Sequence, residues 1–349
     1  MKEAILYKKL TGPEGKPSAS YGTGKKVQCL NCAHYCVIED KKRGICQVRE
    51  NQDGKLYSLV YEKVCAINID PIEKKPFFHF LPGSQSLSIA TVGCNFSCLN
   101  CQNWTISQAP KIFKRIKGEE ISPEKIVEIA LKNHLPSISY TYTEPAIFSE
   151  YALETMKIAK EKGLKNNWVT NGFWSKELFE IVYPYLDAAN VDLKGFNDEF
   201  YIKVCGTRLQ PVLDTLIRLK KKKFWVEITT LVIPTLNDDE KTFRGIAKFI
   251  KEELGEETPW HISQFCGAIS WKLQNLSDTP VETLKRAYKI GKEIGLKYVY
   301  TGNVPGLPTE DTFCPKCNTL CIDRTNYIIH RHDKNGKCPR CGADLNIIN

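Results

Sequence analysis

The sequence predicts an α/β fold: a partial (β/α)6-type, TIM-like barrel carrying a small Cys-rich module at each end. Three observations predict it. Strand-like and helix-like runs alternate through the middle of the chain. Polar and thiol groups follow nearly every strand-like run. There are fifteen Cys against 2 Met, and twelve of them fall in tight groups near both ends and at the head of the alternating region. At 349 residues, 42% hydrophobic and 26% charged, the chain can bury a sizeable core. That composition excludes collagen-like, low-complexity and wholly disordered readings. No apolar run reaches membrane length, and MKEAILYKKL has no signal-peptide core. A cytoplasmic protein is expected, and cysteine-rich cytosolic chains point to metal rather than disulfides.

Three segments follow: residues 1–84, an N-terminal metal module and lead-in; 85–311, the barrel; and 312–349. Net charge is +9, with +5 in residues 1–64, +3 in 312–349 and +1 between. The basic excess is modest and split, without an aromatic-plus-Arg strip, so nucleic acid is not an expected partner.

The first element is Cys29-x2-Cys32-x3-Cys36-x9-Cys46, a four-ligand set in a basic, Gly-containing segment that needs a metal to hold it. Thiolate softness permits Zn2+ or an iron–sulfur cluster. His34 reads as a solvated loop residue or an alternative ligand. The strand-like runs are 87–92, 137–142, 167–170, 189–193, 225–232, 260–263 and 297–301. Ser122-Pro123 caps and opens one helix, and Ser149–Glu161 carries apolar residues at helical spacing. Asn237 or Asp238 is expected to cap a helix over 238–254, and Gly295 to end the last one. Lys220–Lys223 reads as a solvated helix end.

In a barrel of this kind chemistry gathers at the C-terminal strand ends. There the sequence places Cys94-x3-Cys98-x2-Cys101, then Glu144, Asn171, Asp192, Lys194 and Cys266. Turn chemistry accounts for strand-end Gly, Asn and Pro, but not for three thiols within eight residues. Three close thiolates can hold three irons of a four-iron cluster, leaving one iron open to a ligand. The bland alternative, buried Cys acting as small hydrophobes, fits poorly in a loop of Gly, Asn and Ser. Cys314-x2-Cys317 and Cys338-x2-Cys341 suit tetrahedral Zn2+ in a C-terminal zinc ribbon, with Cys321 spare. Cys65 and Cys205 have no partner spacing and read as core or loop residues.

The stretches CLNCAHYCVIEDKKRGIC, DPIEKKPFFHFLPGS, TVGCNFSCLNCQNW, TYTEPAIF, VTNG, NVDLKGF, TLVIPTLND and YVYTGNVPG occur in this order and are followed by CPKC and CPRC. Together they resemble radical S-adenosylmethionine (SAM) enzymes. The finer pattern resembles the branch related to pyruvate formate-lyase activating enzyme, and within it the radical SAM member of the AmmeMemoRadiSam system. The resemblance implies a [4Fe–4S] cluster on Cys94, Cys98 and Cys101, with SAM on the open iron. It implies reductive cleavage of SAM to a 5′-deoxyadenosyl radical that removes a hydrogen atom from substrate. It places Glu144 near the SAM amino group, and Asn171, Asp192 and Lys194 near its ribose and carboxylate. A ferredoxin or flavodoxin would supply electrons. A protein substrate is implied by the activase branch, and Memo-like and AMMECR-type companions by the AmmeMemoRadiSam likeness.

The pattern departs from the family in two places: Asn100 stands where an aromatic is common before the third Cys, and Cys266 where relatives carry His. Cys266 reads as a packing residue or a thiol facing the cavity. The competing reading is a non-catalytic, metal-stabilised RNA- or protein-binding module, which has no need of the strand-end array.

Overall fold

The alternation read from the sequence is realised in seven strands of a central, largely parallel sheet, seen in a computed structural model that describes residues 1–10, 25–304, 306–325 and 327–349. Residues 11–24 of the N-terminal module, residue 305 of the YVYTGNVPG stretch and residue 326 lie outside the described residues. The strands are β1 (Gln85–Thr91), β2 (Ser137–Tyr140), β3 (Lys165–Thr170), β4 (Ala188–Asp192), β5 (Trp225–Val232), β6 (Trp260–Gln264) and β7 (Val299–Gly302). The helices are α1 (Pro123–Lys132), α2 (Ser149–Glu161), α3 (Lys176–Val182), α4 (Gln210–Lys221), α5 (Glu240–Phe249) and α6 (Val281–Ile294). Among the described residues no helix is long and apolar enough to cross a membrane.

The chain divides into two compact units. The first comprises Met1–Asn68, Leu87–Ser97 and Asn103–Asp187; the second comprises Ile69–Ser86, Cys98–Gln102 and Ala188–Asn349.

In the first unit β2 and β3 pair in parallel, Ser137 opposite Lys165. The strands run in the order β3, β2, β1, followed by Lys63–Pro71 and an antiparallel edge at Glu119–Glu120. Ser122 caps α1 by accepting from Lys125 N, and Pro123 supplies a preset φ at the first position. Ile126, Val127 and Ala130, at helical spacing, are buried. β2 stops at Tyr140 rather than 142 because Tyr142 adopts φ 62°, a conformation no strand accommodates. The N-terminal residues form two small antiparallel sheets. They are tied to α2 by a sealed ion pair, Arg49 Nη2 to Glu150 Oε2 at 2.6 Å, with side chains 2% and 1% exposed.

In the second unit β4, β5, β6 and β7 pair in parallel in sequence order. The cap of α5 is Asp239, not Asn237 or Asp238: its Oδ1 accepts from Thr242 N at 2.9 Å. The other two are spent on the preceding turn. Asn237 Oδ1 accepts from Ile233 N, and Asp238 Oδ1 accepts from Thr235 N. The helix expected over 238–254 runs as α5 to Phe249 and continues as a wider π turn to Leu254. Gly295, at φ 103°, ends α6 as expected.

Residues 70–81 of the second unit close the N-terminal side of these strands. Glu227, wholly buried on β5, accepts from the backbone N–H of Phe78, His79 and Phe80. It also accepts from Trp225 Nε1 at 3.0 Å and meets His261 Nε2 at 2.7 Å. His79 continues the network to the Tyr300 hydroxyl at 2.6 Å and the Leu345 carbonyl at 3.0 Å. Arg324, from the C-terminal segment, donates to the Phe78 carbonyl at 2.7 Å and lies over its ring. The stretch DPIEKKPFFHF thus has a structural role.

Burial, outweighing the attraction of Glu227, holds the His79 imidazole down to about 4 from 6.5. A base whose folded pKa lies below its unfolded value stabilises the fold when neutral. That contribution is complete above about 6.5 and drains as pH falls toward 4, because the unfolded chain takes up a proton the folded chain refuses. The full loss is on the order of 3 kcal/mol. In His79→Gln the fall of Tm between pH 6.5 and 4 should flatten. An unchanged slope would remove His79 as its source.

Candidate metal and cofactor site

The cluster loop begins where it does because of Gly93. Its φ is 110°, and a Cβ there would meet Val48 Cγ1 at 2.7 Å, so no other residue fits before Cys94. In the first unit Phe96 N donates to Cys94 Sγ at 3.4 Å. Asn171 Nδ2 donates to Asn95 Oδ1 at 2.7 Å and lies 3.9 Å from Cys94 Sγ. The structure therefore brings Asn171 and Cys94 together.

Glu144 is buried at the end of the β2 turn. Its carboxylate accepts from Ala146 N at 3.1 Å, Thr170 Oγ1 at 2.7 Å and Asn171 N at 2.8 Å. It holds the end of β3, and with it Asn171, against the loop that carries Cys94. Thr170, inside the VTNG stretch but not expected there as a site residue, donates the hydroxyl bond that takes part in this.

The N-terminal cysteines pack on the same loops of this unit. Cys32 bridges to Trp174, and Ala33 N donates to the Phe173 carbonyl at 3.2 Å. His34 is no solvated loop residue: its Nε2 meets the Asn95 carbonyl at 2.9 Å and its ring packs 4.7 Å from that of Phe173. Burial raises the Cys29 thiol to about 12, against the pull of Arg49, with Cys46 and Cys36 near enough to add to the rise. Cys32 is raised further by burial and by Cys29. The four residues are electrostatic neighbours, a state that thiolate–metal bonding relieves.

In the second unit Cys98 is 8% exposed. Its backbone neighbour Leu99 donates to the Val204 carbonyl at 2.9 Å, and Cys101 N donates to the Cys98 carbonyl at 3.2 Å. Lys194 Nζ pairs with Asp192 Oδ2 at 2.7 Å, with side chains 16% and 31% exposed. Burial works against the Lys194 ammonium. Asp192, Cys98 and Cys205 outweigh it, so its pKa lies well above the ordinary value. Cys205, read from the sequence as a core or loop residue, is wholly buried. Cys266 follows β6, half-buried.

The ribbon is formed. Cys314, Cys317, Cys338 and Cys341 hold their ligand atoms all within 4.8 Å of one another. Among the described residues no other set of three or more His, Cys, Asp or Glu meets that spacing. Strands Thr312–Phe313, Leu320–Thr325 and Ile328–Arg331 form an antiparallel sheet beside it. Despite burial, the backbone N–H groups of Cys341 and Arg340 draw the Cys338 thiol down to about 6, toward the thiolate a metal needs. Cys321 is the spare: it donates to the Thr319 carbonyl at 3.2 Å, and burial raises it to about 12.

Residues 88–246 match the radical SAM superfamily. The chain carries a radical SAM domain, and that family implies a [4Fe–4S] cluster and SAM. More narrowly, it belongs to the same family as the uncharacterized protein MJ0808 of Methanocaldococcus jannaschii, 45% identical over 351 residues and the whole of both chains. The pyruvate formate-lyase-activating enzyme of Clostridium pasteurianum is 23% identical over 216 residues, spanning 58% of this chain and 88% of that one. SuiB of Streptococcus suis, solved with S-adenosylmethionine bound, shares the fold: TM-score 0.50 at 12% identity, over 64% of this chain and 52% of that one.

The residues present fit these groups. The loop offers three thiols. Buried Asn95 Nδ2 and Asn100 Oδ1 have no hydrogen-bond partner among the described residues, leaving polar capacity for a bound group.

Replacing Cys314 and Cys338 with Ser together should remove about one metal ion per chain. It should also lower Tm and speed amide exchange over residues 320–331. Unchanged metal content by elemental analysis would sink the assignment.

Proposed function

We propose that this protein cleaves SAM reductively at a [4Fe–4S] cluster held by Cys94, Cys98 and Cys101, and that its hydrogen-atom substrate is a protein partner. The observation that carries the reading is the Cys-x3-Cys-x2-Cys loop directly after β1, inside the matched family region. When bound, the cluster and SAM supply a 5′-deoxyadenosyl radical for hydrogen abstraction. The chain's own residues bind and orient.

Lys194, kept charged by Asp192, offers an ammonium to the SAM carboxylate. Asp192 offers an acceptor to ribose hydroxyls. Asn171 is held at the strand end by Glu144. Glu144 is assigned the SAM ammonium, from which a carboxylate can accept.

The likeness to an activating enzyme supports a protein substrate, with a low-potential ferredoxin or flavodoxin as donor. Memo-like and AMMECR-type proteins are proposed companions, to be sought by co-purification at native levels. For the Cys29, Cys32, Cys36 and Cys46 set, Zn2+ or a second iron–sulfur cluster is proposed. Iron and zinc content in a variant lacking the central three cysteines separates the two.

The test is anaerobic. The protein is reconstituted with iron and sulfide, reduced and given SAM, and 5′-deoxyadenosine is assayed beside the Cys94/Cys98/Cys101→Ala triple variant. Product from the wild type and background from the variant is expected. A loaded, reducible cluster without product would overturn SAM cleavage.

A further inference from the structure

We infer that a cavity beside the cluster loop is a docking pocket for an acidic peptide segment with an apolar anchor, presented by the protein substrate. The inference deepens the proposed function and rests on it in taking the substrate to be a protein.

The cavity lies wholly within the first unit and holds about 650 Å³. Clefts that take ligands span roughly 300–1,000 Å³. Chain geometry builds this one. Lys114, at φ 54°, turns the chain between the short helix Ala109–Ile112 and the edge strand Glu119–Glu120. Gly118 then passes so close to the strand Lys63–Pro71 that a Cβ would meet the Lys63 backbone at 2.5 Å. Glu119 pairs with Val64, and Ile121 N donates to the Glu62 carbonyl at 3.0 Å. The cavity is enclosed between this segment and the strand. Its walls are apolar: Val64 and Ile67 on the strand, Val92 after β1, and Ile106 and Ile121 on the covering segment.

Wall and cluster loop are one piece of chain. Val92 directly precedes Gly93 and Cys94, and Gly93 N donates to the Ile106 carbonyl at 3.0 Å. A peptide anchored in the cavity is therefore held next to the loop that carries Cys94.

Two observations name the occupant. First, the apolar surface does not end at the cavity. Phe113 on its lining and Ile112 beside it are 54% and 42% exposed. A small molecule enclosed in the cavity leaves that rim bare, whereas a peptide running across the mouth covers it. Second, the charge is one-sided. Residues 105–118 hold four basic side chains and no acid. Lys111 is taken up by the Ser97 hydroxyl at 2.9 Å. Arg115 and Lys117 line the cavity, exposed and without a hydrogen-bond or ion-pair partner among the described residues. Glu119 is the one acid in the lining, so two cations against one anion leave it net positive. An apolar side chain fills the cavity, and carboxylates beside it meet Arg115 and Lys117.

The test uses fluorescein-labelled pentapeptides with Phe, Leu or Ala between two pairs of Asp. They are titrated anaerobically with the reconstituted full chain, and Kd is read by fluorescence anisotropy. The Phe and Leu peptides should bind roughly tenfold or more tighter than the Ala peptide. Thr105→Trp, which brings an indole into the cavity from an exposed lining position, should weaken the Phe peptide roughly tenfold. Arg115→Gln/Lys117→Gln should weaken it about threefold to tenfold, and the same peptide with Asn for Asp should bind that double variant and wild type equally.

No binding of the Phe and Leu peptides, or equal affinity for all three, overturns the proposal. So does an unchanged Kd in a folded Thr105→Trp. If that variant fails to fold, the Phe-against-Ala comparison and the double variant decide. Decanoate binding by isothermal titration without peptide binding makes the cavity a small-molecule site instead. Sedimentation with dioleoylphosphatidylglycerol vesicles that is lost in Arg115→Gln/Lys117→Gln, without peptide binding, makes the face a membrane contact; both results overturn the proposal. The binding readout needs no SAM. A chain that binds the peptides but yields no 5′-deoxyadenosine overturns the proposed function and keeps the pocket, and the reverse overturns the pocket alone.

Discussion

A carboxylate with no route to water must be answered by donors, and the second unit is arranged around answering Glu227. Three successive backbone N–H groups, an indole and an imidazole converge on it. Leaving such a charge unpaired would cost several kcal/mol, so the segment supplying the three N–H groups has no freedom to sit elsewhere. That segment also carries Phe77, Phe78 and Phe80 into the core. Once it is placed, His79 and Arg324 extend the constraint to the C-terminal ribbon. The first unit solves the same problem twice: Glu150 is met by the Arg49 guanidinium, and Glu144 by Thr170 and two backbone N–H groups.

These anions divide the labour. Glu227 sits toward the N-terminal end of β5 and serves stability. At C-terminal strand ends lie Glu144, holding the end of β3 in the first unit, and Asp192, paired with Lys194 in the second. This separation of a stabilising face from a reactive one is what parallel β/α architecture permits, because side chains at opposite strand ends do not compete for the same donors.

Much of this was legible in the sequence, for physical reasons that can be named. β5 and α2 match the expected runs residue for residue, because apolar spacing and flanking turn residues agree there. The ribbon was legible because two Cys-x2-Cys pairs carry their own geometry. Tyr142 was missed as a strand end, since nothing in the letters marks a tyrosine for a left-handed φ. The α5 cap was missed because Asn237, Asp238 and Asp239 are each competent, and only tertiary contacts assign two of them to the turn. In the site, the loop cysteines were visible through spacing. Thr170 was not, since nothing in a strand threonine announces that a carboxylate 26 residues earlier will take its hydroxyl. Glu227 was equally silent, an acidic letter inside an apolar strand whose donors, Trp225 apart, come from residues 78–80 and 261.

The closure of the 70–81 segment has a consequence for how the protein is made. The Ile348 N–H reaches the His79 carbonyl at 2.8 Å, and the Leu81 N–H reaches the Ile348 carbonyl at 2.7 Å. At about 5–20 residues per second, roughly 15–50 s separate the emergence of the phenylalanine-rich segment from that of its last partner. The three N–H groups of residues 78–80 wait only for Glu227, but the Leu81 N–H and the His79 carbonyl wait for Ile348. A chain released before residue 348 is made lacks both of those bonds, so the segment's closure is completed only by residues made long after it.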